Sequence, residues 1–338
     1  MRVGRVGFVV LMSLLAAGCS TSSYQQQVGD LSSGFAKVTT SFEGLVEDER
    51  QAFVASQAHL GVTSGHLLSL PESCRPENIA PPQNKAKPKP VDCRAEISST
   101  ATGGKNGSRA IVFTPAAPKG LELAKKLAAY GEALVVLAAA KDVAEVKDGV
   151  AKANAAIGSL RAAVSPTGPK EPYGAITAAV VWAAGKFLDA QRVEQLKDVV
   201  GAADPTVAAA ADVMAMQARL AQRSILVQRA QLLSHQTNQI AHLRAAAEIN
   251  KGTGQDIGDA AVTKAADDFV TASLALQTFA KADFGKPFTA MREAHAKLLH
   301  SLKNPDLPPD FVFAQLSDFI DQVGKLNAAI VAARKAKE

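Results

Sequence analysis

From Ser22 to about Leu60, the large apolar residues Leu31, Phe35, Val38, Phe42 and Leu45 recur at intervals of four, three, four and three. Residues three and four apart share a face of a helix, so this spacing predicts a helix with one apolar stripe, thinning to Ala52 and Leu60 at its end. The same period returns after Lys119. It predicts a helix over 119–140 carrying Leu123, Leu127, Tyr130, Leu134 and Leu137, and another over 141–164 carrying Val143, Val146, Val150, Ile157 and Leu160. Further helices are predicted over 173–200, from Pro205 to Asn250, over 257–302 and over 309–337. Asp204-Pro205 has the order of an N-cap followed by a first helical residue, and Lys251-Gly252-Thr253-Gly254 reads as a glycine stop. Pro287, preceded by Phe284-Gly285-Lys286, is expected to kink or divide the helix over 257–302. Within the helix from Pro205, Leu226, Ala230, Leu233, Thr237, Ile240, Arg244 and Ala247 keep heptad spacing with small residues, a seam that permits close helix approach. About 45 residues in one helix is roughly 68 Å. The expected fold class is therefore all-α, an elongated antiparallel helical bundle.

Residues 63–118 break this period. They hold eight of the sixteen prolines: Pro71, Pro76, Pro81, Pro82, Pro88, Pro90, Pro115 and Pro118. Proline lacks a backbone donor and turns its predecessor away from helical geometry. Val91, Cys93, Ala95 and Ile97 alternate with Asp92, Arg94 and Glu96, Arg109 to Thr114 is a second short strand candidate, and Gly103 to Gly107 supplies turn chemistry. A small β-hairpin in a Pro-rich insertion is expected here, with residues 19–338 forming one helical bundle domain around it.

Composition fits an all-α body. Of 338 residues 64 are Ala, so the 47% hydrophobic content overstates the large core side chains and describes helices with small-residue seams. Aromatics at 5% disfavour a mostly β architecture. With 37 basic against 32 acidic residues, the +5 charge excludes an acidic disordered chain and is too even for a nucleic-acid binder. Lys85, Lys87 and Lys89 alternate with Pro88 and Pro90 but have no interleaved aromatics on which bases would stack. They read as a solvated, extended loop.

The N-terminus carries an address. A basic start with Arg2 and Arg5, an apolar run from Val6 to Gly18 and a small-residue end form an export signal over residues 1–18. Thirteen apolar residues span roughly 20 Å as helix, short of the ~30 Å hydrocarbon core. Leu15-Ala16-Ala17-Gly18-Cys19 resembles the lipobox of bacterial lipoproteins, with Ala16 where Leu is more usual. The resemblance covers the first 20 or so residues. It implies that Cys19 becomes the first residue of the mature chain and carries palmitate and related acyl chains as a membrane anchor. Ser20 behind it implies the outer membrane, and a cell-envelope location facing the periplasm. If Cys19 is lipidated, Cys74 and Cys93 remain as an even pair in an oxidising compartment, and a disulfide between them is expected to pin the hairpin. It would close a loop of about 20 residues and contribute roughly 3 kcal/mol.

The chain contains no G-x-S-x-G, H-E-x-x-H, phosphate-loop lysine or EF-hand pattern. Gly252, Gly254 and Gly258 are spaced one residue too widely for a dinucleotide turn. His235 and His242 lie seven apart and His295 and His300 five apart, and none follows a Glu by three residues as bundle metal sites require. No catalytic residue, metal or cofactor is expected. Ser234 to Gln239 is an uncharged polar stretch in mid-helix, from which Thr237 and Asn238, with His242 beyond, are singled out as a polar layer that fixes register or contacts a ligand or partner. The apolar run Ala175 to Gly185 spans about 16 Å as helix, too short for a bilayer, and reads as a core helix. The function expected is a non-enzymatic scaffold or protein-interaction module tethered to the membrane, with an unidentified protein partner and no nucleic acid. The alternatives are a ligand-binding or inhibitory bundle and a membrane-active helical protein.

Overall fold

The apolar stripes become buried helix faces in the computed structural model, which describes residues 6–63, 66–69, 96–99, 109–110, 112–165, 188–251, 257–304, 306–308 and 310–335. Among the described residues the fold is all-α apart from three short strands. Helix α1 runs Val6–Thr63, and its Leu31, Phe35, Val38, Phe42 and Leu45 are all buried. Helix α2 (Pro118–Ala139) opens on Pro118, whose missing donor costs nothing in a first turn. Its Leu123, Leu127, Tyr130, Leu134 and Leu137 have no exposed surface. Helix α3 (Val143–Val164) begins with a reciprocal cap: the Glu145 amide donates to Asp142 Oδ1 at 2.8 Å and the Lys141 amide donates to Glu145 Oε2 at 2.6 Å. Gly149 lets α3 sit on α2, since a Cβ there would lie 2.8 Å from the Leu137 Cα.

The separate helices expected over 173–200 and from Pro205 are corrected by α4 (Leu188–Lys251), which is continuous for 64 residues with Pro205 inside it. An internal proline costs about 3 kcal/mol. On either side of it, Leu196, Val199, Val200, Ala203, Val207, Ala210 and Met214 are each at most 2% exposed. Keeping that stripe in one register stabilises by more than the proline costs, so packing overrides the local stop signal. Asp204 is accordingly no cap. The heptad seam from Leu226 to Ala247 is also corrected: Ala230, Thr237 and Arg244 are exposed, and the buried stripe of α4 instead runs from Leu196 to Ile225.

Helices α5 (Ile257–Lys281) and α6 (Lys286–Lys303) divide where the proline signal placed the break, with Pro287 in the first turn of α6. The intervening Gly285 donates its amide to Asp283 Oδ1 at 2.8 Å and packs under Arg219, whose guanidinium would collide with any Cβ. Helix α7 (Asp310–Lys335) buries Val312, Leu316, Phe319, Val323 and Ile330. Strands β1 (His66–Ser69), β2 (Glu96–Ser99) and β3 (Arg109–Ala110) form an antiparallel sheet in the order β1-β2-β3, with His66 opposite Ser99 and Glu96 opposite Ala110. Cys74, Cys93, the Gly103–Gly107 turn, the Lys85–Lys89 loop and the Ala175–Gly185 run lie outside the described residues, as does the side chain of Cys19.

The chain forms two units. The first comprises residues 1–45, 117–220 and 282–329, and the second residues 46–116, 221–281 and 330–338. In the first, the Phe35 ring lies 6.3 Å from Tyr130 and 6.2 Å from Phe319, and Phe42 lies 5.5 Å from Phe288. Contacts of Gln25 with Ala138 and of Glu43 with Lys125 run α2 antiparallel to α1. His295 with Asp204 and Arg292 with Asp212 run α6 antiparallel to α4. In the second unit, Asp48 meets Arg229, Ser56 meets Gln231 and His59 meets His235, so α1 and α4 run parallel there, where antiparallel neighbours were expected.

Candidate functional site

In the second unit the apolar content of α4 and α5 is not absorbed by a core. From Val227 to Ile249, α4 buries only Ala247 among its described residues, and Val227 is 48% and Ile249 73% exposed. On α5 only Phe279 is buried among the described residues, while Val270 and Leu274, four residues apart and so on one face, are 54% and 59% exposed. Thr237, Asn238 and His242 are all exposed, and the Thr237 hydroxyl donates to the Ser234 carbonyl at 2.6 Å on its own helix. They therefore form no buried register layer; they belong to the outward surface of α4.

Beneath this surface the second unit has an ionic core. Asp48 is fully buried, and its Oδ1 accepts from Arg229 at 2.5 Å and lies 3.9 Å from Arg334. Arg229 also donates to the Ala333 carbonyl, tying the end of α7 to α4. Glu47 accepts both arms of Arg50, at 2.8 and 2.6 Å, and this bidentate pairing pulls its carboxyl down to about 2. Glu49 is the opposite case. It is buried, and burial raises its pKa against the opposing hydrogen bonds of Ser224 and the Ala116 amide, the latter at 3.0 Å.

A carboxyl whose folded pKa is raised binds its proton more tightly when folded, so stability declines as pH rises from the unfolded carboxylate range through that folded value. Glu49→Gln keeps an acceptor for the Ala116 amide without the buried charge. The substitution is expected to raise stability at pH 7 and to flatten the loss of stability that sets in as pH rises above the ordinary carboxylate range. Urea unfolding at a series of pH values checks both; a destabilised variant with an unchanged pH slope would contradict the assignment.

Two histidines far apart in sequence meet in the same unit across α1 and α4: the rings of His59 and His235 have centroids 4.3 Å apart. Burial first, and the neighbouring His235 second, lower the His59 pKa. The Ser56 hydroxyl donates to Gln231 Oε1 at 2.9 Å nearby on the same two helices.

In the first unit a third histidine is used structurally. His295 has no exposed surface; its Nδ1 lies 2.8 Å from Asp204 Oδ1 and its Nε2 3.1 Å from the Tyr130 hydroxyl. The chain bridges α2, α6 and α4. The His295 contact lowers the Asp204 pKa, and burial pushes the Tyr130 phenol well above its usual value. The three groups resemble a catalytic relay in order, but Tyr130 and His295 are sealed in the core, and the cleft lined by Tyr24, Gln25, Ala138, Arg192, Val193 and Leu196 is no larger than a water molecule. Among the described residues no three His, Cys, Asp or Glu side chains converge as a metal site. Among the described residues one helix, over Leu188–Ile249, has an 18-residue window long and apolar enough for a membrane span, and 44% of that window is buried.

The chain matches no protein-family model, and no curated protein or solved structure is significantly similar to it.

Proposed function

We propose that the protein is a membrane-anchored envelope lipoprotein, facing the periplasm from the outer membrane, that serves as a non-enzymatic scaffold holding a protein partner. The observation that carries this reading is the uncovered apolar surface of α4 and α5 in the second unit, at Val227, Ile249, Val270 and Leu274. Exposed apolar side chains at i and i+4 on a helix are the pattern that a second amphipathic helix covers. Asp267 and Asp268 are exposed directly before Phe269 and Val270. Their charge repels an anionic lipid surface and favours a partner protein helix bearing Lys or Arg at its edge. Thr237, Asn238 and His242 supply polar groups on the outward face of α4. Cys19 is the proposed lipid attachment, and a Cys74–Cys93 disulfide is proposed to pin the strands of the insertion.

Two measurements test the parts separately. A photo-crosslinking residue at Leu274 is expected to give a discrete covalent adduct with one envelope protein in living cells, and the same residue at exposed Lys147 on α3 to give none. No adduct at Leu274, or equal adducts at both, would remove the scaffold reading. Cys19→Ala is expected to abolish metabolic palmitate labelling and release the chain from membranes; retained label would remove the anchor.

A further inference from the structure

We propose that His59 and His235 form a two-imidazole chelate for a divalent ion of the Zn2+ and Cu2+ class, joining α1 to α4 in the second unit. Imidazole nitrogen is the natural donor for these ions, and Zn–N bonds are about 2.0–2.1 Å long. That bond length puts an ion roughly 3.2 Å from each ring centroid, so two imidazoles sharing one ion have centroids roughly 4.5–5.3 Å apart. The observed 4.3 Å falls a few tenths short, a gap that a small change of χ1 on either side chain closes, while χ2 turns the ring nitrogens toward the ion. Both rings are half-buried, which leaves the remaining coordination positions to water and keeps the pair reachable by a hydrated ion. The spacing is held from below by the Ser56–Gln231 hydrogen bond, three residues before His59 on α1 and four before His235 on α4. Each ligand thus stands about one helical turn above a crosslink, so the two rings are brought together by the fold rather than by the ion.

The proposal is independent of any partner or lipid. In titration calorimetry the purified full chain is expected to bind one Zn2+ with micromolar affinity, and Cu2+ more tightly, in the order that nitrogen ligands impose. The Cu2+ complex is expected to show electron paramagnetic resonance coupling to two nitrogens. His59→Gln and His235→Gln should each weaken binding at least ~10-fold, because a two-donor site loses its chelate when either donor goes. His242→Gln, on the exposed surface of the same helix, should leave it unchanged. Circular dichroism of the ion-free variants confirms that helix content is retained. Absence of saturable binding, or binding that survives both His59→Gln and His235→Gln, would overturn the site.

Discussion

Replacing Asp48 by Ala is expected to destabilise the protein by about 3–5 kcal/mol, the cost of removing one partner of a buried ion pair. The carboxylate has no exposed surface, Arg229 is 15% exposed, and Arg334 completes the cluster. Without Asp48 the Arg229 guanidinium keeps only the Ala333 carbonyl as a described partner on the far side, in a setting too dry for water to replace the lost charge. The pair itself is not the source of all that energy: two desolvated ions facing an apolar alternative come out near even. The double variant Asp48→Leu with Arg229→Met should therefore recover most of the loss. Denaturant unfolding of the two single variants and the double variant measures this. A single-variant loss below about 1 kcal/mol, typical of solvent-exposed pairs, would mean that the cluster is hydrated.

Which elements were legible in the sequence follows from which interactions are local. The stripes on α1, α2 and α3 were readable because each repeats every three or four residues within its own helix, and Leu31 to Leu45 and Leu123 to Leu137 are buried as that period requires. The break at Gly285-Lys286-Pro287 was readable for the same reason. Pro205 misled because its cost is local and certain, whereas the burial that outweighs it comes from residues far along the chain. The seam from Leu226 to Ala247 misled in the opposite way: heptad spacing states which side of a helix is apolar, not whether anything covers it. Nothing in the sequence joins His295 to Tyr130, 165 residues away, or Asp48 to Arg229, 181 residues away. Isolated histidines and acids carry no period, so their partners are set wholly by tertiary packing. The polar stretch around Thr237 and Asn238 is exposed, which spacing along a helix does not state.

A chain with 64 Ala concentrates its packing energy in few large side chains, and this makes Phe35→Ala the substitution with the largest expected effect in the first unit. Truncating a buried Phe costs about 3–5 kcal/mol, and the position within that range depends on whether neighbours can collapse into the space. Here they cannot readily do so. Phe35 has no exposed surface and is flanked by the Tyr130 and Phe319 rings, which are themselves held. Tyr130 is fixed by its contact with His295, and Phe319 is seated over Gly34, where any Cβ would collide with it. Gly131 presents backbone rather than a movable side chain toward Phe35, with a Cβ there only 3.0 Å from the ring. The cavity should therefore stay open, and the loss should fall in the upper part of the range, seen in urea unfolding as a lowered midpoint with an unchanged slope. Leu274→Ala provides the contrast, because an apolar residue that is 59% exposed should change stability by no more than about 0.5 kcal/mol. Equal losses for Phe35→Ala and Leu274→Ala would place Leu274 in a core and take away the uncovered surface on which the scaffold reading depends.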